Sequence, residues 1–122
     1  MYNEYAYAHE NRPDLWSVVK ISGSEPDPFY KLFACWYGGY GGSDSWRINS
    51  GIVKVTLDVD GLYYDFRGSS GSVYRCHTLS YGISGYGTGI LQSMINRAKE
   101  RNMIMEMLPD DTDWLTLDYK LT

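Results

Sequence analysis

Arg75 and His77 are the residues best suited to hold an anion. They lie two positions apart in the strand-like run VYRCHTL, so both side chains project from the same face. Ser70 and Ser72 lie in the turn just before this run and offer hydroxyl and amide donors. Arginine, imidazole, hydroxyls and backbone amides together suit a pyrophosphate group. A solvated polar strand face explains the same residues equally well.

A glycine-rich segment, YGISGYGTG at residues 81–89, precedes a helical pattern and forms a second candidate. Backbone amides at a helix start can cradle phosphate, and glycine permits close approach of a ligand. We therefore expect Gly85, Gly87 and Thr88 to contact the ligand. The spacing matches neither the Walker pattern nor the dinucleotide fingerprint. A flexible connection, or a loop that closes over a ligand, are the alternatives.

Two further features could contribute to binding. Arg97 and Arg101 are four residues apart on the predicted helix, a spacing that can clamp a second anion or simply form a solvated face. Trp16 lies opposite the apolar face of Leu15, Val19 and Ile21, so it is the preferred ring for stacking on a base. Any single aromatic residue in this chain has a greater chance of lying in the core.

The sequence offers no recognisable catalytic set. His77 has no nucleophile or orienting carboxylate at a motif spacing, and Asp58 and Asp60 are better explained by a hairpin turn. The chain contains two cysteines, Cys35 and Cys76, and no CxxC pair. We expect buried free thiols, no metal and no cofactor. An enzyme is not required by the sequence, although catalytic groups need not be close along the chain.

The elements that position these residues are predicted from hydrophobic periodicity. Residues 52–59 alternate cleanly, and Asp60-Gly61 then predicts a hairpin. The predicted strands cover residues 15–22, 30–37, 46–49, 52–59, 62–67 and 73–79. They form an antiparallel meander of five or six strands, followed by a C-terminal helical region, in an α+β fold.

The C-terminal third carries the helix prediction. Residues 90–101 form a helix with Thr88 as its cap, and Leu91, Ile95, Ala98 and Met105 lie on one apolar stripe. Residues 103–108 could extend the helix or form a strand. Residues 114–121 alternate and predict a last strand.

Composition limits the class of protein. The 122 residues suit a single ligand-binding domain spanning 1–122. A net charge of −4 argues against a long nucleic-acid partner, which needs a basic surface. No apolar run is long enough for a membrane span, and the N-terminal residues do not form a signal peptide, so we expect a cytoplasmic protein without a membrane partner.

Three segments together resemble a known family: FACWYGGYGGSDSWRINSG at residues 33–51, YDFRGSSGSVYRCH at 64–77 and SGYGTG at 84–89. They are similar to the phage anti-Thoeris sponges, the first type of Thoeris anti-defence protein. The resemblance implies a phage protein, in the cytoplasm of the infected bacterium, that sequesters a cyclic ADP-ribose isomer without cleaving it. It also implies a homodimer or higher homo-oligomer. With a ligand of this kind, Trp16 would stack on adenine, Arg75 and His77 would bind pyrophosphate, and Asn96 would bind a ribose.

Two other functions stay open at this point. A phage inhibitor of a host defence protein would present a large exposed patch instead of a closed pocket. A small nucleotide-processing enzyme would bring His77 together with carboxylates.

Overall fold

The computed structural model describes residues 11–23, 28–39 and 42–119 and has an α+β fold. Six strands precede a helix, as predicted, and a seventh follows it. The elements in chain order are β1 (Leu15–Ser22), β2 (Phe29–Trp36), β3 (Ser45–Ile48), β4 (Ile52–Leu57), β5 (Tyr63–Gly68), β6 (Val73–His77), α1 (Gly85–Glu100) and β7 (Ile104–Met107).

The strands form two separate antiparallel sheets. The first, sheet A, has the order β3-β2-β1-β7, and the second, sheet B, has the order β4-β5-β6. Each of the two three-strand runs along the chain forms a meander, since β1 pairs with β2, β2 with β3, β4 with β5 and β5 with β6. The β4–β5 turn uses Gly61, whose φ of 75° lies in the left-handed region that favours glycine.

Sheet A lies between sheet B and the helix. Trp16, Val18 and Leu32 point toward sheet B and meet Phe66 and Cys76 there. Val19, Phe33 and Cys35 point the opposite way and meet Leu91 of α1. Strand β1 is therefore buried on both faces, because each face has its own covering layer.

The ends of the helix differ from the prediction. α1 begins at Gly85 instead of residue 90, so three glycines lie within its first turns. Ser84 is the cap: its Oγ accepts a hydrogen bond from the Gly87 N–H at 3.0 Å. Thr88 lies inside the helix, where its hydroxyl donates to the Ser84 carbonyl. The predicted Thr88 cap is thus wrong, because Ser84 supplies the oxygen that the first turn needs.

The C-terminal segment also differs from the prediction. Residues 104–107 form β7, which is the strand alternative, and Met105 lies there instead of on the helix stripe. The strand predicted at 114–121 is wrong over the described residues 114–119: residues 114–117 form a turn and a bend, and 118–119 have no regular structure. Trp114 is nevertheless buried, in the core between the sheets.

Both cysteines are buried free thiols, as predicted. The expectation for the N-terminal residues and the last two residues of the strand predicted at 114–121 fall on residues 1–10 and 120–121, outside the described residues. No helix among the described residues is long and apolar enough to cross a membrane.

Candidate functional site

A polar cluster occupies the outer face of sheet B. Tyr63 pairs with His77, and Asp65 pairs with Arg75, so these four side chains share one face. The neighbouring pairs, which include Phe66 with Tyr74, point into the core instead. The cluster therefore faces away from sheet A, and its members are half-buried.

Arg75 is held by two carboxylates. Its Nη2 donates to Asp58 at 2.6 Å, and its Nη1 donates to Asp65 at 3.1 Å. These bonds fix the guanidinium plane, and they also neutralise its charge. An anion at Arg75 must share the guanidinium with both carboxylates, a constraint that the sequence did not reveal.

The pKa values of the two carboxyl groups are shifted in opposite directions. Burial opposes ionisation of Asp58, but the Tyr63 N–H, the Asp60 side chain and Arg75 together hold the pKa of Asp58 below its usual value. Burial and the neighbouring charge of Asp58 raise the pKa of Asp65, despite the attraction of Arg75. Asp65 is therefore the weaker acid of the two.

The Tyr63 ring contacts two arginine side chains and the His77 ring. The guanidinium carbon of Arg12 lies 4.9 Å from the ring centroid, and that of Arg75 lies 4.6 Å from it. The His77 ring meets the same tyrosine edge-on at 5.2 Å between centroids. His77 Nδ1 accepts the Leu79 N–H at 3.1 Å, which places the proton of the neutral imidazole on Nε2. The sequence analysis missed Arg12 and Tyr63; only the β5–β6 register brings Tyr63 beside His77.

Hydrogen bonds hold in place the segment before β1, which carries Arg12. The Trp36 indole N–H donates to the Arg12 carbonyl at 3.0 Å, and the Arg75 N–H donates to the Asn11 carbonyl at 2.9 Å. Asp14 continues this attachment by accepting the Tyr37 N–H at 2.8 Å. The Arg12 side chain is exposed. We call Arg12, Asp58, Tyr63, Asp65, Arg75 and His77 together the outer cluster.

The predicted serines lie at the other end of β6. Ser70 and Ser72 belong to the β5–β6 turn, where their hydroxyls contact each other at 3.2 Å. The Ser70 N–H donates to Ser50 Oγ. Five residues of extended strand separate Ser72 from His77, roughly 17 Å. The serines and His77 therefore mark opposite ends of one strand.

The predicted helix residues lie on the far side of the molecule. Gly85, Gly87, Thr88 and Asn96 belong to α1, which covers the face of sheet A opposite sheet B. Gly87 is buried, and its N–H is already bonded to Ser84. Asn96 is exposed and accepts a hydrogen bond from Gln92. Within one chain, these residues and Arg75 cannot line the same pocket.

Trp16 lies in the core. Its side chain is fully buried, and its ring contacts those of Tyr64, Phe66, Tyr81 and Trp114. The indole N–H donates to the His77 carbonyl at 2.7 Å. The prediction that Trp16 stacks on a base needs correction, because sheet B covers the face that was taken to be open.

Arg97 and Arg101 lie at the rim of a groove between α1 and sheet A. The groove has a volume of about 260 Å³ and an apolar floor that includes Ile21, Phe29 and Met105. Neither guanidinium has a hydrogen bond or an ion pair within the described residues. This is a second place, separate from the outer cluster, where cations face solvent.

No group of three or more metal-ligating side chains occurs among the described residues. Comparison of the chain with known proteins found no matching family model, no matching curated protein and no matching solved structure.

Proposed function

We propose that this protein binds and sequesters a small signalling nucleotide of the cyclic ADP-ribose type, without cleaving it, and so blocks TIR-dependent defence in an infected bacterium. The observation that supports this proposal is the convergence of Arg12, Arg75 and His77 around the Tyr63 ring. Guanidinium groups bind phosphate, and the adjacent carboxylates accept hydrogen bonds from ribose hydroxyls.

The charge balance of the outer cluster favours a ligand with both kinds of group. Two guanidinium groups face two carboxylates, so the cluster attracts no long polyanion. A sugar phosphate presents hydroxyls to Asp58 and Asp65 and phosphate oxygens to Arg12. The Arg75 fork, already oriented by its carboxylates, needs little further ordering to bind.

The experiment is ligand capture. The protein is incubated with a pool of cyclic nucleotides and ADP-ribose isomers, recovered, and heated, and the released molecules are identified by mass spectrometry. We expect intact ligand from the wild type and at least tenfold less from Arg12→Ala, since hydrogen bonds to charged groups contribute about 1.5–3 kcal/mol. Arg67→Ala is the matched control, because Arg67 is an exposed arginine of β5 that makes no contact with Tyr63 or the carboxylates within the described residues.

Two results would contradict the proposal. Equal capture by the Arg12→Ala and Arg67→Ala variants would place the ligand elsewhere. Chemically altered ligand would support the alternative of a nucleotide-processing enzyme, for which His77 and Asp65 lie on the same face.

We also propose that the protein acts as a homodimer or higher homo-oligomer. The helix residues Gly85, Thr88 and Asn96 can approach an outer cluster only if a second copy supplies them, because sheet A separates them from the cluster of their own chain. Sedimentation of the captured complex would give its subunit number. A monomeric complex would contradict this part of the proposal.

Inhibition of a host protein by direct contact is a second candidate function. Four exposed aliphatic side chains support it: Leu57, Val59, Leu62 and Leu79. They lie at or near the β4–β5 turn or just beyond the end of β6, and Val59 and Leu79 are the most exposed, at 107% and 87%. An infection assay separates the two functions. Loss of anti-defence activity in Arg12→Ala supports sequestration, whereas loss only in Val59→Ser/Leu79→Ser supports a protein partner.

A further inference from the structure

The groove beneath Arg97 and Arg101 has a chemistry unlike that of the outer cluster. Its described lining is apolar except for these two guanidinium groups, and three methionines contribute to it: Met94, Met103 and Met105. Methionine side chains are flexible and polarisable, so they adapt to the shape of an apolar ligand. A sugar or a nucleobase would find few hydrogen-bond partners on this lining.

The two arginines of the groove lie at the C-terminal end of α1. Arg97 lies in the last turn of α1 and Arg101 is the C-cap residue, one helical turn apart. Both side chains are exposed, and neither has an acidic partner within the described residues. The carbonyl end of the helix offsets part of their attraction for an anion, so a single arginine would bind weakly and the pair is needed.

We infer that this groove is a binding site for an amphiphilic anion, an alkyl chain that ends in a carboxylate or phosphate. The alkyl chain lies against Phe29, Met94 and Met105, and the head group lies between Arg97 and Arg101. Charge complementarity selects the anion, and the apolar floor selects the chain.

The volume of the groove limits the length of that chain. A volume of about 260 Å³ accommodates roughly nine groups of water or methylene size, at about 30 Å³ each. Because the groove is open to solvent on one side, we expect each added methylene to raise the affinity by less than the roughly fourfold of full burial, up to about ten carbons. Longer chains leave their extra methylenes in water and gain little.

Decanoate is the first probe, used below its micelle concentration with full-length protein carrying methyl-¹³C methionine. We expect the methyl resonances of Met94, Met103 and Met105 to shift on titration. Met107, which lies in β7 outside the lining, serves as the internal reference. Octanoate, dodecanoate and hexadecanoate test the length limit. No shift of the three lining methionines would overturn the inference.

The head group is tested by ligand and by variant. Decanoate and decyl phosphate distinguish a fatty acid from a phosphate ester, and decanol removes the charge. We expect Arg97→Gln/Arg101→Gln to weaken decanoate binding at least tenfold, while Lys99→Gln, on the same helix but outside the lining, leaves it unchanged. Equal binding of decanol, or unchanged binding by the double arginine variant, would overturn the assignment of the arginines.

This inference is independent of the proposed nucleotide function, because α1 and sheet B lie on opposite faces of sheet A. Arg12→Ala should lose nucleotide capture and keep decanoate binding. If Arg12→Ala also loses decanoate binding at unchanged stability, the groove assignment is wrong.

Discussion

Arg75 donates to both Asp58 and Asp65, and its two partners respond to their surroundings in opposite ways. Asp58 ionises more readily than a free aspartate, whereas burial makes Asp65 harder to ionise. A substitution at Arg75 would therefore remove a ligand contact and also leave two carboxylates without their cation. For this reason Arg12, which is exposed and makes no ion pair within the described residues, is the sharper probe of binding.

The pKa of Asp65 predicts how stability depends on pH. Because its folded-state pKa lies above the usual aspartate value of 3.8, the folded protein holds this proton more tightly than the unfolded chain does. The stability contributed by protonated Asp65 is complete below pH 3.8 and is lost as pH rises through the folded pKa. The free energy of unfolding of the wild type should therefore fall, relative to that of Asp65→Asn, as pH rises over this interval.

Urea unfolding of both proteins at several values between about pH 3 and pH 6 measures this difference. If the free energy of unfolding of the wild type, relative to that of Asp65→Asn, stays constant or rises with pH, the raised pKa of Asp65 is contradicted.

One of the three glycines at the start of α1, Gly87, has a packing role that the sequence pattern did not indicate. Gly87 lies directly against sheet A: a Cβ placed there would lie 2.7 Å from Cys35 Sγ and 3.2 Å from Phe33 Cε1. Gly89, two residues later, has open space around its Cβ position. Close packing therefore explains the glycine at position 87 without a ligand. Packing does not require a glycine at position 89.

This contrast gives a matched pair of substitutions. Gly87→Ala should lower the free energy of unfolding by about 1–3 kcal/mol, because the new methyl group overpacks the contact with Cys35. Gly89→Ala should raise it by about 0.5–1 kcal/mol, because alanine is the better helix former and meets no neighbour. Chemical denaturation followed by circular dichroism measures both. Two effects of the same sign would show that the helix approaches the sheet differently.

For the molecule as a whole, the two covering layers of sheet A decide which residues are available to a ligand. Tyr64 and Phe66 of sheet B, together with Tyr81 and Trp114, enclose the Trp16 ring, and sheet B leaves Tyr63, Arg75 and His77 on its own outer surface. Tyr81 is enclosed by the same packing: its hydroxyl donates to the Leu108 carbonyl at 2.6 Å, and burial raises the pKa of Tyr81 to about 12.

Trp16→Phe separates the packing role from a ligand role. It should lower the free energy of unfolding by about 2–4 kcal/mol, through a cavity and the lost hydrogen bond to the His77 carbonyl. The exposed Tyr37→Phe change should stay within about 0.5 kcal/mol. Ligand recovered per folded molecule should be unchanged in both, as measured by the capture experiment. Loss of capture in stably folded Trp16→Phe would contradict the core assignment of Trp16.

The bounds of most strands follow from local patterns in the sequence. The bounds of β1 were predicted correctly, and those of β2, β4 and β5 to within two residues, because alternation and turn residues are properties of neighbouring positions. The pairing of Arg75 and His77 on one face followed from the same period of two. The buried thiols of Cys35 and Cys76 followed from their apolar surroundings along the chain.

Which faces are open, and which distant side chains meet, depends on tertiary packing. The burial of Trp16 depends on a second sheet that begins 36 residues later along the chain, at Ile52. The position of Arg12 depends on hydrogen bonds that the Trp36 indole donates to the Arg12 carbonyl and the Arg75 backbone donates to the Asn11 carbonyl. Burial, charge pairing and close backbone approach are set by contacts between segments far apart in sequence, for which local periodicity has no signal. The candidate site predicted on one strand, between the turn before it and the glycine-rich segment, therefore lies instead in the outer cluster. The groove of Arg97 and Arg101 is separate from that cluster.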